Sequence, residues 1–581
     1  MHKVSLFGCY ALFGIEIEIH QICPMIWKQR NDKLQDLPEG APFERLLAVR
    51  EVKDWISFSR PLGHAEHDPF LMKDMDVAVD VLHRHIENNS EILVFGDYDV
   101  DGTTSVAMMY EWLVNLGARA SFYIPNRYEE GYGFSITGAQ HAIDQKKQLI
   151  ITLDCGTKDG ARIAMCRENG IDVIVCDHHE PGELPNANAV LNPKRRDCSY
   201  PFSGLSGCGV GYKLICAYTM RHPNSESHPE TFLDLVAIAA GADIVPMLDE
   251  NRTLVAKGLH LMNRYLRPGL AALLRKSGTK RSTWDVTDLV FLLAPRINAA
   301  GRVASGNEAV KLLIAQEVQE VEDLAQQVED FNMSRRSIDQ DVSAAALAKV
   351  ESDNGHAEAF VTVVWDEEWL KGVIGIVASR LIERYYRPTI VFTKSHDVYA
   401  GSGRSIEGVD LYKALERCQE NIVQFGGHTM AAGLTVLPEK IESFSKQFND
   451  VVSEMLDHQR SEPIVYFDLP LSLAEVDMTW IEEMKKMAPF GPDNMAPVFL
   501  FENVHHAYPP KKIGSDQKHV KCTLKQPGAF GYIDAVGFGM AKEWDVFESN
   551  SMDVLAALEI NEYNGRRSPQ LMIKAVRPHA S

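Results

Sequence analysis

Short apolar runs that end in acid or imidazole organise the first half of this chain. Ile-Leu-Val-Phe at 92–95 runs into Gly96-Asp97-Tyr98-Asp99-Val100-Asp101-Gly102. Leu-Ile-Ile-Thr-Leu at 149–153 runs into Asp154-Cys155-Gly156, and Val-Ile-Val-Cys at 173–176 into Asp177-His178-His179. A fourth run, 237–242, leads into Asp243. Between them 105–116, 139–145 and 160–169 carry a helical pattern, and 118–125 reads as a further strand. This β-α-β-α order predicts a mostly parallel sheet with helices on both faces. Ligands of such sheets bind at the carboxyl ends of the strands, so all four loaded ends are expected at one edge.

The pattern then changes twice. Residues 231–345 look mainly helical, and the charged, Gly- and Pro-free stretch 307–332 predicts a long connecting helix. Strand-like 360–365 and 389–393 flank a helical 373–386, a second α/β unit, with Pro388 and Pro463 as border marks. From 462 onward, short alternating segments at 464–469, 498–501, 519–524, 535–538, 554–560 and 571–576 predict a small antiparallel barrel. The expected division is a lead-in over 1–69, an α/β domain over 70–305 and a helical connector over 306–350. A smaller α/β domain over 351–460 and a barrel over 461–581 complete it. A chain of 581 residues is too long for one core in any case.

Composition adds exclusions. Ten scattered cysteines without a CxxC pair fit reduced thiols better than a disulfide framework or a structural zinc site. No apolar run approaches the roughly 18 residues of a membrane span. Lys3 precedes an apolar stretch, but Glu16 and Glu18 follow and no small-residue cleavage site appears. Residues 1–24 therefore read as an extension, with the working fold beginning near Met25 and a cytoplasmic location expected. The net charge of −21 argues against attraction of polyanions to the whole surface. It leaves room for a basic groove or for metal ions that neutralise phosphates locally.

Asp97, Asp99 and Asp101 alternate with Tyr98 and Val100, so an extended loop would point all three carboxylates one way. Crowded like charges disfavour one another unless something positive sits among them. A divalent cation answers that need, with Asp154, His178 and Asp243 completing its shell. Oxygen ligands with imidazole suit Mn²⁺ or Mg²⁺ better than a thiolate zinc site. So many carboxylates could hold two ions about 4 Å apart, the arrangement used for in-line displacement at phosphorus. An Asp-rich loop capping the next helix would explain the triplet alone; it does not explain four convergent ends.

The motifs GDYDVDGTTS (96–105), LDCGT (153–157), CDHH (176–179) and AGADIVPM (240–247) together resemble the DHH phosphoesterase superfamily. IPNRYEEGYG (124–133) and SGLSGCGVGYKL (203–214) narrow the resemblance to its RecJ-like single-strand-specific exonucleases, over about residues 70 to 580. The resemblance implies a DHH domain, a DHHA1 domain and an OB-type barrel. It also implies metal-dependent hydrolysis of single-stranded DNA from the 5′ end, in repair and recombination, with Mn²⁺ or Mg²⁺. By motif, Asp99, Asp101, Asp154, His178 and Asp243 would be the metal ligands and His179 would face a phosphate oxygen or support its neighbours. Many members carry a histidine four residues before Asp99; that position is Phe95 here, which makes Asp97 the candidate replacement.

Arg127, Asn298 and Arg302 would hold phosphate in the first unit. Ser402, Arg404, Gly427 and His428, from GSGRS and GGH, would grip the strand in the second, with the DNA threading between the two units. Lys511, Lys512, Lys518, Lys521, Arg566 and Arg567, interleaved with Tyr508, His519 and Tyr563, suit a single-strand platform. A helicase and a single-strand-binding protein are the partners such an enzyme would meet, and a monomer is expected. The rivals are a phosphodiesterase for short oligonucleotides or cyclic dinucleotides, a pyrophosphatase, and a scaffold that has lost catalysis.

Overall fold

The computed structural model describes residues 25–31, 39–64, 66–223, 228–353, 355–563 and 565–580. The extension 1–24 lies outside them. The chain forms two compact units, one made of 61–340 with 489–494 and the other of the remaining chain.

The first unit is built on five parallel strands. In spatial order these are Arg119–Tyr123, Glu91–Gly96, Leu149–Leu153, Asp172–Cys176 and Ala189–Leu191. Their runs are continuously apolar because helices cover both faces. Phe95, Ile150, Val173 and Val175 pack on one side with Phe134, Ala139 and Ile163. Glu91–Gly96, first in the chain, has its two successors on either flank. Winding therefore reverses beside it, and a crevice opens at the carboxyl ends of Glu91–Gly96 and Leu149–Leu153.

Two expectations about this unit need correction. Asp243 does not end a strand: Leu233–Ala242 is a buried helix and Asp243 is its C-cap. The segment LDLVAIAAGA is rich in Ala and Leu, which favour helix, and lacks the alternation of a strand. The connecting helix is also displaced. Asn307–Ile314 stops short, and a separate helix, Val318–Ser352, runs for 35 residues.

The second unit carries a five-stranded mixed sheet ordered Gln424–Gly427, Ala431–Val436, Val398–Arg404, Thr389–Ser395, Thr362–Asp366, with only the last pair parallel. It also carries the barrel. Strands Phe499–Ile513, His519–Lys525, Ile533–Gly537, Arg566–Pro578 and Met552–Tyr563 pair in that order, and the last returns to pair with the first. The strand Ile26–Gln29 pairs in parallel with Ile464–Phe467. Arg50 then closes bidentately on Asp468, at 2.5 and 3.0 Å, where the carboxylate is fully buried. Among the described residues no helix is long and apolar enough to cross a membrane.

Candidate active site

The chain turns sharply after Gly96. A Cβ on Gly102 would lie 2.3 Å from the carbonyl oxygen of Asp97, so only glycine lets the helix Val100–Asn115 start this close to the strand it leaves. Asp99 caps that helix, its Oδ1 accepting from Gly102 N–H at 3.1 Å. The loop is therefore not extended, and the three carboxylates do not share one direction. Asp101 already lies in the helix. It accepts the N–H groups of Gly207 (2.7 Å) and Cys208 (2.8 Å) at the start of the helix Gly207–Arg221, whose positive end suits an anion. Asp97 stays behind, 1% exposed, with neither carboxylate oxygen hydrogen-bonded. Phe95 turns into the core against Tyr123 and Phe134, while Asp97 lies among the cluster's potential ligands.

Asp154 follows its strand with φ +60°, a left-handed conformation that aims its side chain into the crevice. Gly207 makes this possible, since a Cβ there would meet the Cβ of Asp154 at 2.6 Å. At the end of the next strand, Asp172–Cys176, Asp177 acts as a hub. Its Oδ1 accepts from the main-chain N–H groups of His178 (2.7 Å) and His179 (3.1 Å) and lies 2.8 Å from His179 Nδ1. Its Oδ2 accepts from Thr157 N–H at 2.9 Å. Thus anchored, His178 presents Nε2 3.1 Å from Asp154, 3.6 Å from Asp243 and 3.8 Å from Asp101. Neither that Nε2 nor Asp154 Oδ1 is hydrogen-bonded.

The electrostatics follow from crowding. Burial, then the charge of Asp99, raises Asp97 well above the carboxylate range and Asp101 to about 7. Burial and the neighbouring Asp101, Asp99 and Asp243 do the same to Asp154. Burial, with His179 beside it, lowers His178 to about 3, so its imidazole is neutral and able to donate a lone pair. Asp177 goes the other way. Burial works against its charge, but the bonds from His179 and Thr157 hold it below the usual range. Four residues are pushed toward neutrality and their hub is kept ionised.

Three overlapping groups have ligand atoms within 4.8 Å of one another: Asp97, Asp99 and Asp154; Asp101, His178 and Asp243; and Asp154, His178 and His179. Buried carboxylate oxygens and an imidazole nitrogen without partners are what a divalent cation satisfies. The donor set fits manganese or magnesium.

Around this cluster, Arg127 stacks over the Tyr98 ring at 4.6 Å and lends its charge to Asp97. Gly301 packs where a Cβ would lie 2.3 Å from the Tyr98 carbonyl, bringing the helix Ala294–Val303 alongside. Asn298 and Arg302 sit one turn apart on that helix, and Asn298 Oδ1 is buried without a partner. Tyr132, inside the motif at 124–133 but not singled out from it, lies 2.7 Å by its hydroxyl from His179 Nε2. Asn192, also missed, donates to Thr157 Oγ1 and to the His179 carbonyl.

In the second unit Ser402 and Arg404 share a face of Val398–Arg404, and Arg404 donates to the Ser402 hydroxyl at 3.2 Å. Ser402 pairs with Gly433 and Gly433 with Gly426, and a Cβ on either glycine would meet nothing within 4 Å. The result is a bare glycine floor beside a serine and an arginine. Gly427, at φ +148°, turns the chain toward exposed His428.

On the barrel, exposed Lys511 and Lys521 are cross-strand partners, and Tyr508 meets Tyr532 edge to face at 5.9 Å. Phe530, wholly exposed in the connection between His519–Lys525 and Ile533–Gly537, carried no sequence signal beyond its loop. Lys512 stacks over Trp544, Lys518 lies 3.4 Å from Asp516, and Arg567 pairs with Glu482. His519 packs against Phe538 and accepts from Gly539 N–H, while Arg566 is exposed at its strand's start. The Tyr563 side chain lies outside the described residues.

Comparison with known proteins fits this geometry. The DHH family N-terminal domain matches residues 91–240, the DHHA1 domain 356–454 and the RecJ OB domain 467–575. The single-stranded-DNA-specific exonuclease RecJ of Bacillus subtilis is 35% identical over 94% of this chain and 70% of its own length. RecJ of Thermus thermophilus, solved with Mn²⁺, superposes with a TM-score of 0.79 at 24% identity, over 96% of this chain and 80% of that one. A manganese-bound exonuclease RecJ gives 0.56 at 30% identity, over 66% and 95%. The chain belongs to the RecJ family of single-stranded-DNA-specific exonucleases.

Proposed function

We propose that this protein hydrolyses the phosphodiester bonds of single-stranded DNA from the 5′ end, using two Mn²⁺ or Mg²⁺ ions, in DNA repair and recombination. The observation that carries the reading is the set of buried, unpartnered ligand atoms on Asp97, Asp154 and His178 at the sheet's switch point. Asp97, Asp99 and Asp154 would hold one ion and Asp101, His178 and Asp243 the other. When bound, such ions acidify water at neutral pH and offset charge on the phosphate. The chain's own residues do the positioning. Asp177 locks both histidines, Tyr132 holds His179 toward the crevice, and Arg127, Asn298 and Arg302 are the phosphate contacts of this unit. In the second unit Ser402, Arg404, Gly427 and His428 would receive the DNA backbone, where a glycine floor admits close approach and the guanidinium fits phosphate oxygens.

The test compares a long 5′-phosphorylated single strand, the same strand in blunt duplex, the strand labelled at its other end, and dinucleotides, each with Mn²⁺ and with Mg²⁺. The reading predicts rapid loss of the single strand from its 5′ end and little loss of duplex. Consumption of dinucleotides alone would make the protein a small-substrate phosphodiesterase instead.

A further inference from the structure

Another strand end reaches the same crevice. Ala189–Leu191 is followed by Asn192-Pro193-Lys194, and Asn192 is fully buried. Its side-chain amide donates to the His179 carbonyl at 2.9 Å and to Thr157 Oγ1 at 3.1 Å, while its Oδ1 accepts from Lys194 N–H at 2.9 Å. The main chain of Lys194 is thereby fixed to the backbone of the histidine pair. Its side chain is 30% exposed, and its ion pair, with Glu180, is long (3.8 Å) and made to a carboxylate that is itself 65% exposed. Such a pair holds a lysine only weakly.

We infer that Lys194 contacts substrate, its ammonium binding a non-bridging oxygen of a backbone phosphate held at the strand-end cluster. The inference rests on the nuclease reading above and adds a residue to it. The Lys194 ammonium lies 3.8 Å from Glu180, the residue directly after His179, so it stands beside the histidine pair. Once divalent ions offset the surrounding carboxylates, an ammonium in that position finds its next anion in the phosphodiester. Lysine is suited to this as a mobile point charge on a flexible stem.

The experiment measures KM and kcat on a 5′-phosphorylated single strand with Mn²⁺, across a salt series, for wild type, Lys194→Ala, Lys194→Arg and Glu180→Gln. Manganese affinity without DNA is measured by calorimetry on the same proteins. Lys194→Ala is expected to raise KM about tenfold or more while kcat falls far less. The slope of log KM against log salt should shrink by about 0.7, the share of one single-strand phosphate contact. Lys194→Arg should restore most of the loss, Glu180→Gln should not reproduce it, and manganese affinity should persist in Lys194→Ala. An unchanged KM with altered manganese affinity would reduce Lys194 to a counter-charge for the carboxylates. Equal losses in Lys194→Ala and Glu180→Gln would reduce it to one arm of an ion pair. A wild-type protein that consumes no single strand overturns the nuclease reading and this inference with it. Wild-type turnover with an indifferent Lys194→Ala overturns the inference alone.

Discussion

The two sheets of this protein present charge in opposite ways. At the carboxyl edge of the parallel sheet, Asp97, Asp101 and Asp154 are almost wholly buried, and burial together with neighbouring carboxylates, Asp99 foremost for the first two, raises them toward neutrality. On the mixed sheet, Ser402 and Arg404 stand beside glycines that leave the floor open. The first arrangement crowds buried carboxylates together; the second sets a hydroxyl and a guanidinium on an open floor. On the proposed reading the first sheet serves catalysis and the second grip, and mutations should separate the two.

The largest effect is expected at Asp154. Asp154→Ala should reduce manganese-dependent cleavage by about a thousandfold or more, since the residue stands in two of the three ligand groups. It should not unfold the protein, because it relieves repulsion, and an unchanged or raised metal-free Tm by calorimetry would confirm that. Next comes a stability effect in the second unit. Asp468→Ala leaves Arg50 and Arg30 facing a buried void, a loss of about 3–5 kcal/mol readable by denaturant titration. Burial raises the Asp468 carboxyl, but Arg50 and Arg30 outweigh it and hold the group below its usual range. Its contribution is therefore present above the ordinary aspartate pKa, near 4, and is lost as pH falls through the lower folded value.

Arg404→Ala should raise KM for single-stranded DNA about tenfold with manganese affinity intact, and Arg404→Lys should recover only part of it. A kcat-only effect would place Arg404 in the chemistry and blur the contrast between the sheets. The smallest change is expected on the barrel. Lys511→Ala with Lys521→Ala should lower the salt slope of binding by about 1.4, two phosphate contacts' worth, with a few-fold loss of affinity.

The runs at 92–95, 149–153 and 173–176 form strands as expected, because β-branched sequence and sharp breaks at Gly96, Asp154 and Asp177 agree locally. The motif resemblance supplied the candidate metal ligands, and the structure brings Asp97, Asp99, Asp101, Asp154, His178, His179 and Asp243 into the three overlapping groups. Their directions were not legible. Asp101 leaves the face of Asp99 because the helix begins at Val100, and Asp243 arrives on a helix that its position in a motif did not distinguish from a strand. The hub role of Asp177 depends on Thr157, 20 residues away, and the Arg50–Asp468 clamp spans 418 residues. No local pattern encodes pairings of that kind. They come from topology.

In the proposed site, buried and mutually repelling carboxylates seat two divalent ions. Calorimetric titration of the metal-free protein with Mn²⁺ tests it most directly, in wild type and in Asp97→Ala and Asp154→Ala. Two ions per chain are expected in wild type, a single ion in Asp97→Ala, and severe weakening of both in Asp154→Ala, with manganese raising the Tm of wild type alone by a clear margin. Equal binding in all three proteins, or no binding in wild type, would contradict it.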